Sequence, residues 1–230
     1  MKRPKKEASD PGFTLIEVVL AILIFGILSS AVLTSFNALF SSSQRLERDI
    51  ALMEMGHKCL NRMISDISAA HISLPPAYAI PQVSAIDSEK KADPFRIVGD
   101  AGGAGFPQLR FASRAHLPID GNSGKGVARI VYYVAENQDQ GFSLKRADDL
   151  NLKASFEENR NDPVLCEEVI SLAFAYHWQE DDVKEAWDSE AREYGYATPQ
   201  AISIRLEIGD AQKKKVLKTT AIPPAYRGKK

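Results

Sequence analysis

Glu17 is the residue of this chain that most needs a chemical explanation, because it stands inside an apolar run long enough to cross a bilayer. A carboxylate in hydrocarbon is costly and rarely tolerated without a partner, so its place asks for a functional reason. The other chemistry-bearing residues make a weaker case. His57, His71, His116 and His177 show no pairing at metal-ligand spacing, and no GxSxG, HExxH or CxxC pattern occurs. His57 interrupts an apolar stripe and is expected at the edge of a helix–sheet interface rather than on a metal. Cys59 and Cys166 match no metal signature; two separate buried thiols are expected, with a disulfide as the alternative outside the cytoplasm.

Four further stretches invite a ligand and are expected to lack one. Gly99 to Gly105 is glycine-rich but has no Walker lysine after it, so it reads as a mobile loop. Asp120-Gly121-Asn122-Ser123-Gly124 begins like an EF-hand loop, yet Val131 stands where a bidentate glutamate should close it. Glu180-Asp181-Asp182 reads as a solvated acidic loop, a calcium site being the alternative. Lys213-Lys214-Lys215 has no interleaved aromatics and reads as an exposed hairpin turn, not a nucleic-acid stripe. The chain is therefore expected to have no catalytic activity, no cofactor, no metal and no nucleic-acid partner.

The elements that must position Glu17 are legible in composition and period. At 230 residues the chain accommodates one ordinary globular domain plus an anchor. Its 29 basic against 30 acidic residues exclude a strongly basic nucleic-acid binder. Charge distribution says more than the sum: Lys2, Arg3, Lys5 and Lys6 precede the apolar run, and the next basic residue is Arg45. That asymmetry places the N-terminus in the cytoplasm and the rest of the chain outside it. Phe13 to Phe36, about 24 residues, would reach about 36 Å as a helix and span the lipid core.

Beyond it, Leu46, Ile50, Met53, His57, Leu60, Ile64 and Ile67 recur at helical steps, with Arg45, Glu47, Arg48, Lys58, Asn61 and Asp66 assigned to the opposite side. One continuous helix from about Phe13 to about Ala69 is predicted. Leu74 to Pro94 reads as a long connection. Strands follow at Gln108 to Ser113, around Ala128, Ile130, Tyr132 and Val134, at Phe142 to Arg146, through Ile170, Leu172, Phe174, Tyr176 and Trp178, through Ile202 to Ile208, and at Lys215 to Ile222. Asp181 to Gly195 is either a short helix, with Asp182 and Glu185 as a capping box, or an acidic loop with Trp187 tucked down. The order gives an α+β fold, a long N-terminal helix packed on antiparallel β-sheet.

Gly12-Phe13-Thr14-Leu15-Ile16-Glu17-Val18, after a short basic leader, resembles the class III signal of type IV pilins and type II secretion pseudopilins. A secretory signal peptide would place its cut after the apolar run, whereas here the run persists. The resemblance implies a pilin-like fold, cleavage by a prepilin peptidase between Gly12 and Phe13, N-methylation of Phe13, and Glu17 as the assembly carboxylate. It divides the chain into a leader (1–12), a transmembrane assembly helix (13–40), an amphipathic helix (41–69), a β-rich periplasmic head (70–222) and a flexible tail (223–230). The later segments VARIVYYVAENQDQGFSLKRA and PQAISIRLEIGDAQKKKVLKTTAIP resemble the J-type minor subunits, while Glu17 disfavours the K type. Implied partners are the I- and K-type minor pseudopilins, the major pseudopilin, inner-membrane lipid and secreted exoproteins. A minor pilin of a type IV pilus, serving adhesion, motility or DNA uptake, is the alternative.

Overall fold

The computed structural model describes residues 12–80, 93–117, 126–137, 141–153, 155–179, 182–210 and 213–228. The leader up to residue 11, Asp120 to Gly124, and Glu180 with Asp181 lie outside the described residues. The chain divides into two units, Met1–Ile50 and Ala51–Lys230.

In the first unit the described residues form the first part of a single helix, α1 (Leu15–Ser68). Its apolar side chains are exposed all round, with Leu15 at 83%, Phe25 at 72% and Leu39 at 68%. Such a surface needs lipid or neighbouring helices to cover it. Three hydroxyls in this stretch are satisfied within the helix: Ser30 donates to the Ile27 carbonyl at 2.9 Å, Thr34 to Ser30 at 2.8 Å and Ser35 to Ala31 at 2.9 Å. Back-bonding of this kind lets Ser and Thr sit in hydrocarbon without an orphaned donor.

The second unit holds two antiparallel sheets with the last turns of α1. Strands β1 (Val98–Ala101), β2 (Pro107–Ser113), β3 (Ala128–Glu136), β4 (Phe142–Asp149), β5 (Val164–Cys166) and β8 (Trp187–Asp188) form a six-stranded sheet in the order β5-β4-β3-β2-β1-β8. Strands β6 (Val169–Gln179), β7 (Asp182–Lys184), β9 (Ala201–Gly209) and β10 (Lys214–Ala221) form the second, ordered β10-β9-β6-β7. Alternation dictates the inner faces. Ala128, Ile130, Tyr132 and Val134 from β3, and Ile202, Ile204, Leu206 and Ile208 from β9, join one core with Leu60, Met63 and Ile67 of α1. The α+β architecture is that of the sequence reading.

Several local expectations are corrected. The helix buries Leu52, Gly56, Cys59, Leu60, Met63, Asp66 and Ile67, whereas Leu46, Ile50, Met53 and His57 are exposed. The buried stripe is therefore rotated by about one residue from the one read by hydrophobicity. Gly56 is the physical reason at its centre: a Cβ there would lie 2.7 Å from Leu217 Cδ1 and 3.0 Å from Ile208 Cδ1, so the missing side chain admits the second sheet. In β6 the register shifts between Val169 and Ser171, and Val169 is buried where Ile170 was expected. Gly99 lies in β1, not in a loop, because Tyr176 fills the space above it. Asp182 to Gly195 holds two short strands and a 3₁₀ turn (Arg192–Tyr194) in place of a helix, with Trp187 buried and stacked on Tyr194 at 4.4 Å. Lys214 and Lys215 begin β10.

Two long-range closures complete this unit. Cys59 of α1 and Cys166 of β5 form a disulfide, their Cα atoms 6.0 Å apart, so the expectation of two separate thiols is overturned. The pair forms because the corrected helix phase turns Cys59 inward beside the edge strand. Within the tail read as flexible, Arg227 is held: it is only 4% exposed, and its main chain exchanges hydrogen bonds with Thr198 at 2.9 and 3.0 Å.

Candidate functional site

The start of α1 brings Gly12, Phe13 and Glu17 onto one short segment. Among the described residues nothing lies within 4 Å of where a Cβ on Gly12 would stand, and Phe13 is 91% exposed. Thr14 precedes the first helical residue, and its backbone N–H donates to Glu17 Oε2 at 2.9 Å while its hydroxyl donates to the same oxygen at 2.8 Å. The Glu17 N–H in turn points at Thr14, its nitrogen 3.4 Å from the Thr14 hydroxyl oxygen and 3.1 Å from the Thr14 carbonyl oxygen. This is a capping box: a Thr at the helix start and a Glu three residues on satisfy each other's end of the first turn. The carboxylate also sits where the helix dipole favours negative charge. Thr14 is the residue the sequence reading missed. Its signal, Thr-x-x-Glu, was the pattern read at Asp182–Glu185, where no helix forms.

The other polar cluster that merits a functional test lies within the second unit, and Asp66 is its centre. Placed by sequence on the exposed side of α1, Asp66 is fully buried. Arg62 Nη2 lies 2.5 Å from its Oδ1, Arg146 Nε donates to its Oδ2 at 2.6 Å, and the Tyr132 hydroxyl donates to the same Oδ2. Arg146 continues to Asp148 Oδ2 at 2.6 Å, and Asp148 Oδ1 meets His116 Nδ1 at 2.6 Å. Burial alone would raise the Asp148 carboxyl, but the Leu117 N–H, His116 and Arg146 outweigh it and hold the group below the usual carboxylate range. Burial likewise works against the Arg146 charge, and the two aspartates reverse the balance and raise it. Burial first, then the Asp66 charge, push the Tyr132 phenol well up. Through these bonds Asp66 ties α1 to Tyr132 of β3 and Arg146 of β4.

His57 is exposed, His71 packs edge-on against Phe95 at 4.4 Å, and His177 Nε2 meets Ser203 Oγ at 2.7 Å. Asp182 pairs with Lys184 at 2.9 Å. Among the described residues no group of three His, Cys, Asp or Glu is placed to hold a metal.

Comparison with known families matches residues 9–33 to the prokaryotic N-terminal methylation motif. No curated protein matches the chain. The motif, which is the prepilin peptidase signal, coincides with the start of α1, the helix long and apolar enough to cross a membrane. Motif and α+β architecture together support a pilin-like class of chain, type IV pilin or pseudopilin, with a single-pass anchor in the inner membrane.

Proposed function

We propose that the chain is a minor pseudopilin of the J type, a structural subunit at the tip of a type II secretion pseudopilus that starts assembly with the I- and K-type subunits for export of folded proteins. The observation that carries the reading is the methylation motif at the entry of an exposed helix of membrane-spanning length. Prepilin peptidase removes residues 1–12, and the ammonium created at Phe13 becomes the methylated N-terminus. Glu17 then accepts the ammonium of a neighbouring subunit, since a charge-assisted contact in low dielectric offsets the burial of both groups. The Thr14 hydrogen bonds hold that carboxylate at the helix start until the neighbour arrives. The Cys59–Cys166 disulfide supports a head outside the reducing cytoplasm.

Mass spectrometry of the mature protein tests the processing step: a methylated Phe13 is expected, and a cut elsewhere removes the basis of the reading. Co-purification of the full-length chain from membranes tests the J-type role. A complex with I- and K-type subunits is expected, and loss of both that complex and secretion in Glu17→Val. A complex with pilus subunits in their place would instead make the chain a minor pilin of a type IV pilus.

A further inference from the structure

Between β5 and β6 the chain passes from the six-stranded sheet to the second sheet through Glu167 and Glu168. The passage is tight, since Glu168 takes a φ of 53°, which a residue with a Cβ adopts at a cost. Its β6 side is well held: the Glu168 carbonyl accepts the Gly209 N–H at 2.8 Å, and β6 pairs with β9 from Val169 to His177. Its β5 side has less pairing to rely on. This strand has three residues at the edge of its sheet and meets β4 at Leu144↔Cys166 and Lys145↔Val164, with a register break between them. Pro163 just before it has no N–H to donate, although its carbonyl accepts from the Arg146 N–H at 3.1 Å. Val164 is exposed and Leu165 packs against the core only in part. The residue that carries β5 into the core is Cys166, buried and bonded to the equally buried Cys59 of α1.

That bond is not what docks α1 on this sheet. Arg146 of β4 and Tyr132 of β3 both bind Asp66, and Arg62 donates to the Ala115 carbonyl at 2.7 Å. These contacts need no sulfur and stay when the disulfide opens. What the disulfide adds beyond them is a hold on β5.

We propose that Cys59 and Cys166 form a redox latch on β5. With the bond formed, β5 covers the edge of β4; with the bond reduced, β5 leaves β4 while the remainder of the head stays folded. Reduction by a dithiol runs by exchange: one reductant thiolate attacks a sulfur and displaces the other, and the second reductant thiol then closes its own disulfide and releases the first. Two electrons pass from the dithiol to the cystine, and both cysteines end as thiols. Release of β5 uncovers backbone donors and acceptors on β4, the kind of edge on which another strand can pair. An oxidising compartment thus closes an edge that the newly made, reduced chain exposes. The latch goes beyond the secretion reading and stands whichever filament the chain joins.

Hydrogen exchange read by mass spectrometry tests the latch on the full-length chain in an uncharged detergent, before and after treatment with dithiothreitol, with iodoacetamide reporting free thiols. In the reduced chain the β5 amides and the Arg146 amide are expected to exchange about tenfold faster or more, and those of β9 at their former rate. The double variant Cys59→Ala/Cys166→Ala is expected to show the same local gain with no reductant present. Equal exchange of β5 in the oxidised and reduced chains overturns the proposal, because pairing and packing would then hold the strand unaided. So does an equal gain in β9, which would make the bond a support of the whole head, and so does failure of iodoacetamide to label Cys166 under dithiothreitol without denaturant.

Discussion

At the scale of single residues, charge in a buried place has two different meanings in this chain. Glu17 was legible at once because a carboxylate inside an apolar run has no ordinary explanation. Asp66 was not, because charge on an amphipathic helix normally marks the wet side, and only its partners on β3 and β4, far along the sequence, reveal otherwise. Those partners make Arg146 the most sensitive member. Arg146→Met would leave Asp66 and Asp148 buried without their shared guanidinium, at an expected cost of about 3–5 kcal/mol in the denaturant unfolding of the full-length chain. Asp148 also fixes a pH dependence. Its carboxyl is held below its unfolded value, so its contribution is present above the usual carboxylate range and disappears as pH falls through the folded value. Unfolding midpoints measured from neutral pH to below about pH 4 should fall in the parent. In Asp148→Asn they should start lower and fall less.

At the scale of elements, period was a good guide to what forms and a poorer one to how it is turned. Strands β9 and β10 followed their alternation because each has one face in the core and one facing outward, whereas β3 keeps the expected core face but has Val131 and Tyr133 of its other face buried as well. The helix phase and the β6 register were missed for related reasons. A glycine at position 56 marks the line of closest approach although it has no hydrophobicity to contribute, and a bulge resets alternation with no sequence signal of its own. Gly99 shows the same logic in the first sheet. A Cβ on it would lie 1.7 Å from the Tyr176 hydroxyl and 2.2 Å from the ring carbon that carries it, a rigid group with nowhere to turn. Gly99→Ala is therefore expected to lower stability by about 1–3 kcal/mol in thermal or denaturant unfolding. Tyr176→Phe should be neutral or slightly stabilising, because the hydroxyl it removes is buried without a hydrogen-bond partner. Equal losses in the two variants would mean that the hydroxyl itself supports the joint between the sheets.

At the scale of the whole molecule, the features that close the head are those no local pattern announces. The disulfide joins residues separated by 107 positions, and the tail is fixed by a residue whose partners come from 73, 93, 189, 190 and 196. A charged end segment rich in Pro and Lys reads as loose precisely because its partners lie so far back in the chain. Arg227 places its guanidinium 3.1 Å from both Asp93 and Glu190, donates to the Ser189 and Tyr196 carbonyls at 2.8 Å, and lies 3.5 Å over the Tyr78 ring. Removing it in Arg227→Met leaves two buried carboxylates facing one another, at an expected cost of about 3–5 kcal/mol near neutral pH. That cost should depend on pH in the direction opposite to the Asp148 effect. Burial already raises the Glu190 carboxyl, so its ionisation opposes folding; protonation relieves that opposition as pH falls, and more so once the arginine is gone. Unfolding free energies of parent and Arg227→Met, compared at pH 7 and at about pH 5, should therefore converge toward the acid side. A gap of constant size would assign the loss to the vacated contact over Tyr78, and the tail would be held by packing and not by charge.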